Sequence, residues 1–125
     1  MTIQELYAAM DGSYESVKRI LPMDKMIEKF LPRLLDDKSF GKLKHARENN
    51  NDPKELFEAA HAMKGVLANL GLDNLSKMAS VVAEEFRQGK SRTMDDDALN
   101  SHLDALEKKF ESTLEHIRNY VASKG

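Results

Sequence analysis

Three long segments of the chain carry apolar residues at alternating four- and three-residue spacings, and this pattern constrains the fold more than any other feature. The first segment, which ends at Gly71, has Leu56, Ala60, Met63, Leu67 and Leu70. The second, which ends at Gly89, has Leu72, Leu75, Ala79, Val82 and Phe86. The third has Leu99, Leu103, Leu106, Phe110, Leu114, Ile117 and Val121. Because this spacing puts side chains on one stripe of a helix, it predicts three long amphipathic helices that pack by their stripes.

Local capping signals mark where these helices begin. Asp52 before Pro53, with Glu55 following, combines an N-cap acid, a proline suited to the first helical position and a first-turn glutamate. Asp95 or Asp96 is predicted to cap the last helix.

The segment before Asp52 is predicted to supply the fourth helix. Thr2 and Glu5 form a capping-box pattern that opens a short helix, and Ser13 to Ile20 form a second. Apolar residues then recur at helical spacing from Met26 to Leu35, with Pro22 at a first helical position and Pro32 predicted to introduce a kink. After Asp36 and Asp37 the pattern resumes at Phe40 and Leu43. With no strand pattern present, the sequence predicts an all-α fold, an antiparallel four-helix bundle with short additional N-terminal helices.

The length of the chain predicts one domain, residues 1–125. Within it, the helical pattern predicts short helices in residues 1–21 and the bundle in residues 22–125. A chain of 125 residues is long enough to bury a core. Its formal net charge of -2 comes from interleaved acids and bases, which argues against nucleic acid as a partner. There is no cysteine, no apolar run long enough for a membrane span and no signal-peptide pattern. We therefore expect a cytoplasmic protein. We also expect a monomer, because no further apolar stripe is left over to form an interface between copies of the chain.

His61 stands out on the first long helix because Lys64 and Gly65 follow it within about one turn. It lies about 100° from the core position Ala60, so we expect an exposed imidazole with a neutral, nucleophilic nitrogen available near neutral pH. Lys64 is placed to meet an anion bound there. Gly65 costs a helix about 1 kcal/mol relative to alanine, which suggests that a partner approaches the backbone closely. Gly65 and Ala68 would leave a shallow depression beside the ring.

Several enzymatic interpretations are excluded because the sequence lacks residues or motifs that they require. The spacing from Glu58 to His61 matches that of a di-iron bundle, but the other histidines, His45, His102 and His116, have no glutamate three residues before them. We therefore predict no metal site. The chain has no glycine-rich nucleotide loop, no Walker pattern and no nucleophile elbow, so we expect neither ATP-dependent kinase activity nor a catalytic triad. The other three histidines are interpreted as ordinary solvated side chains.

The residues from His61 to Gly71, read as His-Ala-Met-Lys-Gly-x-x-x-Asn-Leu-Gly, resemble the signature of histidine-containing phosphotransfer (HPt) domains. Met63 replaces the leucine usual before the lysine of that family, a change of similar volume. The resemblance implies that His61 accepts the phosphoryl group, that Lys64 helps to neutralise it and that Gly65 gives a partner access. It also implies a phosphoryl carrier that is not an enzyme and needs no cofactor, with Mg²⁺ only in the partner.

The partners implied are response-regulator receiver domains and a hybrid sensor histidine kinase. We expect His61 to accept a phosphoryl group from a phosphoaspartate and to pass it to another regulator. Residues predicted to bind the partner are Phe57, Gly65 and Ala68, together with Ile3, Leu6, Tyr7 and Met10 of the first short helix, which could instead cover the end of the bundle. The alternative is a phosphate-independent adaptor that binds a receiver or kinase through the same face.

Overall fold

Helices account for all the regular secondary structure of residues 1–124, the part of the chain that this computed structural model describes. In chain order they are α1 (Ile3–Ala9), α2 (Tyr14–Ile20), α3 (Asp24–Phe30), a 3₁₀ helix (Leu31–Asp36), α4 (Ser39–Glu48), α5 (Pro53–Asn69), α6 (Asp73–Glu85) and α7 (Asp96–Lys124). The predicted all-α fold with short N-terminal helices is confirmed. No helix in this range is both long and apolar enough to cross a membrane.

Helices α4, α5, α6 and α7 form the four-helix bundle. Helix α5 packs between α4 and α6, and α6 packs against α7. The α4 and α7 helices close the bundle, with the rings of Phe40 and Phe110 stacked at a centroid distance of 4.3 Å. Beside this pair, Arg47 makes ion pairs of 2.9 Å with both Asp104 and Glu107.

The predicted core stripes are buried with two exceptions. Phe86 is half-buried, and Val121 is exposed. Tyr120 takes the buried position expected of Val121, because a step of three residues from Ile117 returns to the same face of the helix.

The kinked helix predicted around Pro32 is wrong, because the chain divides there into α3 and the 3₁₀ helix, and the interruption predicted at Asp36 and Asp37 separates that 3₁₀ helix from α4. Pro32 is the second residue of the 3₁₀ helix. A proline there lacks the amide hydrogen of an α-helical turn, and its ring would clash with the carbonyl of Glu28. The α-helix therefore ends at Phe30. Pro22 also lies outside the helices, since α3 begins at Asp24.

The short helices α1 and α2 are fixed to the turn between α5 and α6. The Tyr7 hydroxyl donates a hydrogen bond of 2.5 Å to the Leu70 carbonyl, and the Ser13 amide donates one of 2.7 Å to the Gly71 carbonyl. Gly71 has a φ of 71°, and a Cβ atom at this position would lie 2.7 Å from Cβ of Val17. Only glycine fits both the backbone conformation and the close approach of α2. The contact between α2 and this turn holds the end of α5 in place.

Candidate functional site

The outward face of α5 is set by the capping and packing of that helix. The Asp52 carboxylate accepts a hydrogen bond of 3.0 Å from the Glu55 amide, and Pro53 occupies the first helical turn, as predicted. Leu56, Met63 and Leu67 are fully buried in the bundle. Burial of this stripe fixes the rotation of the helix, so the residues opposite the stripe face solvent.

His61 lies on this outward face and is exposed, as expected. The ring of Phe57, one turn earlier, stacks on the imidazole with the centroids 5.5 Å apart and the planes inclined by 12°. Within residues 1–124, neither ring nitrogen of His61 forms a hydrogen bond or an ion pair. Phe57 is half-buried and packs against the core, so it connects the imidazole of His61 to the core. Because the two rings stack face to face, the edge of the imidazole stays accessible to solvent.

Lys64 follows His61 by nearly one turn and is half-buried. The Ser76 hydroxyl on α6 donates a hydrogen bond of 2.9 Å to the Lys64 backbone carbonyl, which ties this turn to the neighbouring helix. No carboxylate in the described part of the chain lies within ion-pair distance of the Lys64 ammonium. The ammonium can therefore pair with an external anion near His61.

Gly65 and Ala68 form an open floor beside the imidazole. Both residues are exposed, and a Cβ atom placed on Gly65 would have no neighbouring heavy atom within 4 Å. Nothing inside the described protein therefore requires glycine at this position.

The first helix does not contribute the partner contacts that were predicted for it. Ile3, Leu6, Tyr7 and Met10 are each at most 3% exposed, because their side chains form part of the hydrophobic core. The expectation that they bind a partner is thus contradicted by their burial. They cover the end of the bundle, the alternative role predicted for them.

The remaining histidines have different surroundings. His45 lies 3.5 Å from the Glu55 carboxylate, and Nε2 of His102 lies 2.8 Å from the Met78 carbonyl. His116 is half-buried on α7. None of the three is followed by the lysine and glycine that accompany His61.

Among residues 1–124, no three or more histidine and acidic side chains are arranged to hold a metal ion. Glu58 and His61, which share the di-iron spacing, are both exposed on α5. They do not point into the bundle, where such a site would be built.

Sequence reasoning overlooked Ser76, whose contact with the turn of Lys64 depends on the register between α5 and α6. The signal available was the helical spacing of Ser76 and Ser80, two small polar residues beside the core stripe of α6.

The site thus combines an exposed imidazole, a cation one turn away and a floor of small residues. A model of the Hpt domain family matches residues 25–120. No match was found among curated proteins or among solved structures. The family match spans the bundle and includes the turn that carries His61, Lys64 and Gly65, and the chain belongs to the Hpt domain family.

Proposed function

We propose that this protein is a phosphorelay intermediate that accepts a phosphoryl group on His61 from the phosphoaspartate of one receiver domain and passes it to a second response regulator. Hpt domains are phosphocarrier modules of two-component systems, and they interact with receiver domains and kinases. The observation that carries the proposal is the exposed imidazole of His61 beside an ammonium group and an open floor.

The transfer requires a neutral imidazole nitrogen as the nucleophile. Its lone pair forms the new N–P bond while the P–O bond of the phosphoaspartate breaks, and the electron pair of that bond returns to the aspartate as a carboxylate. The hydrogen on the other ring nitrogen stays in place, and the positive charge formed on the ring is balanced by the phosphoryl oxygens. Passing the group to the second regulator reverses these steps at a new aspartate.

Lys64 has the role of neutralising the phosphoryl group. Side chains three residues apart on a helix are neighbours, so the ammonium on its flexible stem reaches the oxygens of a group bound to His61. The transition state spreads negative charge over these oxygens, and a nearby cation stabilises it electrostatically. Nε2, the outer ring nitrogen, is the phosphorylated atom in this proposal, and Phe57 positions the ring.

The receiver supplies the rest of the chemistry. In this proposal its acidic pocket binds the Mg²⁺, and the bundle brings no cofactor and no ATP-dependent kinase activity of its own. The protein acts as a monomer in the cytoplasm, where it meets a hybrid sensor kinase and its regulators.

The test follows labelled phosphate from a receiver domain prephosphorylated on aspartate, with Mg²⁺ present, onto this protein and then onto a second receiver. Wild type should become labelled and pass the label on, whereas His61→Gln should do neither and still bind the receiver. His45→Gln is the matched control, because it removes another exposed histidine of the same bundle.

If His61→Gln supports the full relay, the proposal is wrong. If receivers that label another acceptor bind this protein but never label it, the phosphate-independent adaptor becomes the better description.

A further inference from the structure

Ser80 on α6 carries a hydroxyl group that has no partner inside the described part of the chain. The side chain is half-buried, and its hydroxyl takes part in no hydrogen bond among residues 1–124. No side-chain oxygen or nitrogen in that range is both unpartnered and fully buried. The Ser80 hydroxyl is therefore open to solvent and able to donate a hydrogen bond to an external group.

A serine at this position is unfavourable for the helix itself. Serine is a weaker helix former than alanine, and Ser80 lies in the interior of α6. Ser76, one turn earlier, offsets this cost through its hydrogen bond to the Lys64 carbonyl. Ser80 has no such bond, so nothing within the described fold accounts for its hydroxyl.

The contact between Ser76 and Lys64 fixes the level of Ser80 relative to His61. Helices α5 and α6 are joined by a short turn and pack side by side, so they run antiparallel. The step from Lys64 back to His61 covers about 4.5 Å along α5, and the step from Ser76 on to Ser80 covers about 6 Å in the same direction. His61 and Ser80 therefore lie within about 2 Å of the same level along the bundle.

His61 and Ser80 also lie on adjoining edges of the two helices. His61 is separated from Lys64 by about 60° around α5, and Ser80 is separated from Ser76 by about 40° around α6. The Lys64 turn contacts Ser76, so both departures start from the line where the helices meet. Because packed helices lie roughly 8–10 Å apart, the oxygens of a phosphoryl group on the outer nitrogen of His61 come within reach of the Ser80 hydroxyl.

The opposite flank of α5 has a different character. It borders an open groove lined mainly by apolar side chains, among them Ile20, Phe30 and Val66. Residues 64 and 66 are separated by about 200° around the helix, so this groove lies away from α6. The described residues that line it include no hydroxyl group, and α6 is therefore the flank that offers His61 a hydroxyl donor.

The charges along this edge of α6 favour an anion beside Ser80. Lys77 is exposed next to Ser76 and forms no ion pair within residues 1–124. Glu84, one turn after Ser80, is paired with Arg87 at 2.8 Å and with Lys90 at 3.9 Å. The negative charge of Glu84 is thus compensated and does not oppose a phosphoryl group at the next turn.

We propose that Ser80 is a phosphoryl-binding residue, whose hydroxyl donates a hydrogen bond to one oxygen of the phosphoryl group on His61 while the Lys64 ammonium pairs with another. This proposal rests on the proposed function. A hydrogen bond to a charged oxygen is stronger than one between neutral groups, and this one forms only when the phosphoryl group is present. Ser80 thereby stabilises the phosphorylated protein and shifts the transfer equilibrium from the receiver towards His61.

The test compares Ser80→Ala and Ser80→Thr with Ser101→Ala as the matched control. Ser101 is an exposed serine in α7, the helix diagonal to α5, and its replacement removes the same atom from a helix of the same bundle. Each protein is mixed with a prephosphorylated receiver and Mg²⁺, and the label on the two partners is measured at equilibrium. Fluorescence anisotropy measures receiver binding, and thermal unfolding by circular dichroism measures stability.

Ser80→Ala should lower the equilibrium ratio of labelled protein to labelled receiver by about three- to tenfold, the effect of one hydrogen bond to a charged group. Its dissociation constant for the unphosphorylated receiver should match wild type, and its Tm should not fall, because alanine is the better helix former. Ser80→Thr keeps a hydroxyl and should stay close to wild type, as should Ser101→Ala.

A second measurement needs no receiver. Phosphoramidate is a small phosphoryl donor whose P–N bond breaks as the new N–P bond forms on an exposed histidine, with ammonia as the leaving group. The ³¹P NMR signal that is missing from His61→Gln identifies phosphorylated His61. This signal should move in Ser80→Ala and stay in place in Ser101→Ala.

An unchanged equilibrium ratio and an unchanged ³¹P signal in Ser80→Ala would overturn the role of Ser80 and leave the relay intact. An equal loss in Ser80→Thr would also overturn it, because the hydroxyl is retained in that variant. Failure of wild type to take up label from any receiver would instead overturn the proposed function. The ³¹P signal would in that case still decide whether Ser80 contacts a phosphoryl group on His61.

Discussion

Replacing Gly65 with alanine should stabilise the fold and impair phosphotransfer. Gly65 lies in the interior of α5, is exposed, and has no heavy atom within 4 Å of the position that a Cβ would occupy. The extra methyl group therefore meets nothing within the protein, and the helix gains from the smaller backbone entropy of alanine in the unfolded chain.

The expected gain in the free energy of unfolding is about 0.5–1 kcal/mol. For a chain of this length, this gain corresponds to an increase in Tm of roughly 2–5 °C. The effect on transfer has the opposite sign, because the methyl group lies where the partner is expected to approach the backbone. Gly65→Ala should lower the transfer rate at subsaturating receiver by about threefold to tenfold, and Gly65→Glu should lower it further by adding bulk and negative charge.

Gly41 offers a matched control. It is an exposed helical glycine in α4, and a Cβ placed on it would also have no neighbour within 4 Å. Gly41→Ala should raise Tm by a smaller amount, since it lies in the first turn of its helix, and should leave transfer unchanged. The assay combines thermal unfolding by circular dichroism with label transfer from a phosphorylated receiver.

Two results would refute this reasoning. A lower Tm for Gly65→Ala would show that the open space beside Gly65 has been misjudged. A higher Tm with unchanged transfer for both Gly65→Ala and Gly65→Glu would show that the partner does not approach this turn closely.

The remaining predictions concern two positions that hold the bundle together. Gly71→Ala should destabilise the protein by at least about 2 kcal/mol, measured by urea unfolding. The φ of 71° at this position is unfavourable for alanine, and the added Cβ would overlap Val17 and the Ser13 carbonyl. Unchanged stability would contradict the described packing. The buried carboxylate of Glu85 accepts hydrogen bonds from the Met94 amide and from the amide and hydroxyl of Thr93, and these bonds lower its pKa from the ordinary value of 4.5, with the Met94 amide as the largest cause. Because the pKa of Glu85 is lower in the folded state, the contribution of its carboxylate to stability is fully present above about pH 4.5 and is lost as the pH falls through the folded pKa. Glu85→Gln should therefore lower the free energy of unfolding by about 1.5 kcal/mol at pH 7 and by progressively less in acid. A pH-independent difference in stability between the two proteins would argue against this assignment.

The long helices and their caps were predictable because their signals are local. The stripe from Leu56 to Leu70 and the cap at Asp52 require only neighbours within a few turns, and the exposure of His61 follows from its angle to that stripe. The placement of His61 and Gly65 on the outward face of α5, with Lys64 at its edge, was thus accessible from their spacing.

Features that depend on long-range packing were not predictable in the same way. The apolar residues of α1, such as Leu6 and Tyr7, have the composition of either a docking patch or a core, and only the contact of Tyr7 with the Leu70 carbonyl reveals which applies. Likewise, the sequence shows an apolar periodicity through Pro32 but does not show that the chain turns there into a 3₁₀ helix. The groove beside Val66 was not predictable either, because its walls come from segments far apart in sequence.

Mapping the phosphorylated residue tests the central claim most directly. Wild-type protein would be mixed with a receiver prephosphorylated on aspartate and Mg²⁺, digested at neutral or alkaline pH, and examined by peptide mass spectrometry. The account predicts an acid-labile, alkali-stable phosphoryl group on His61 alone. A phosphoryl group on His45, His102 or His116 instead, or none from a receiver that labels another acceptor, would contradict it.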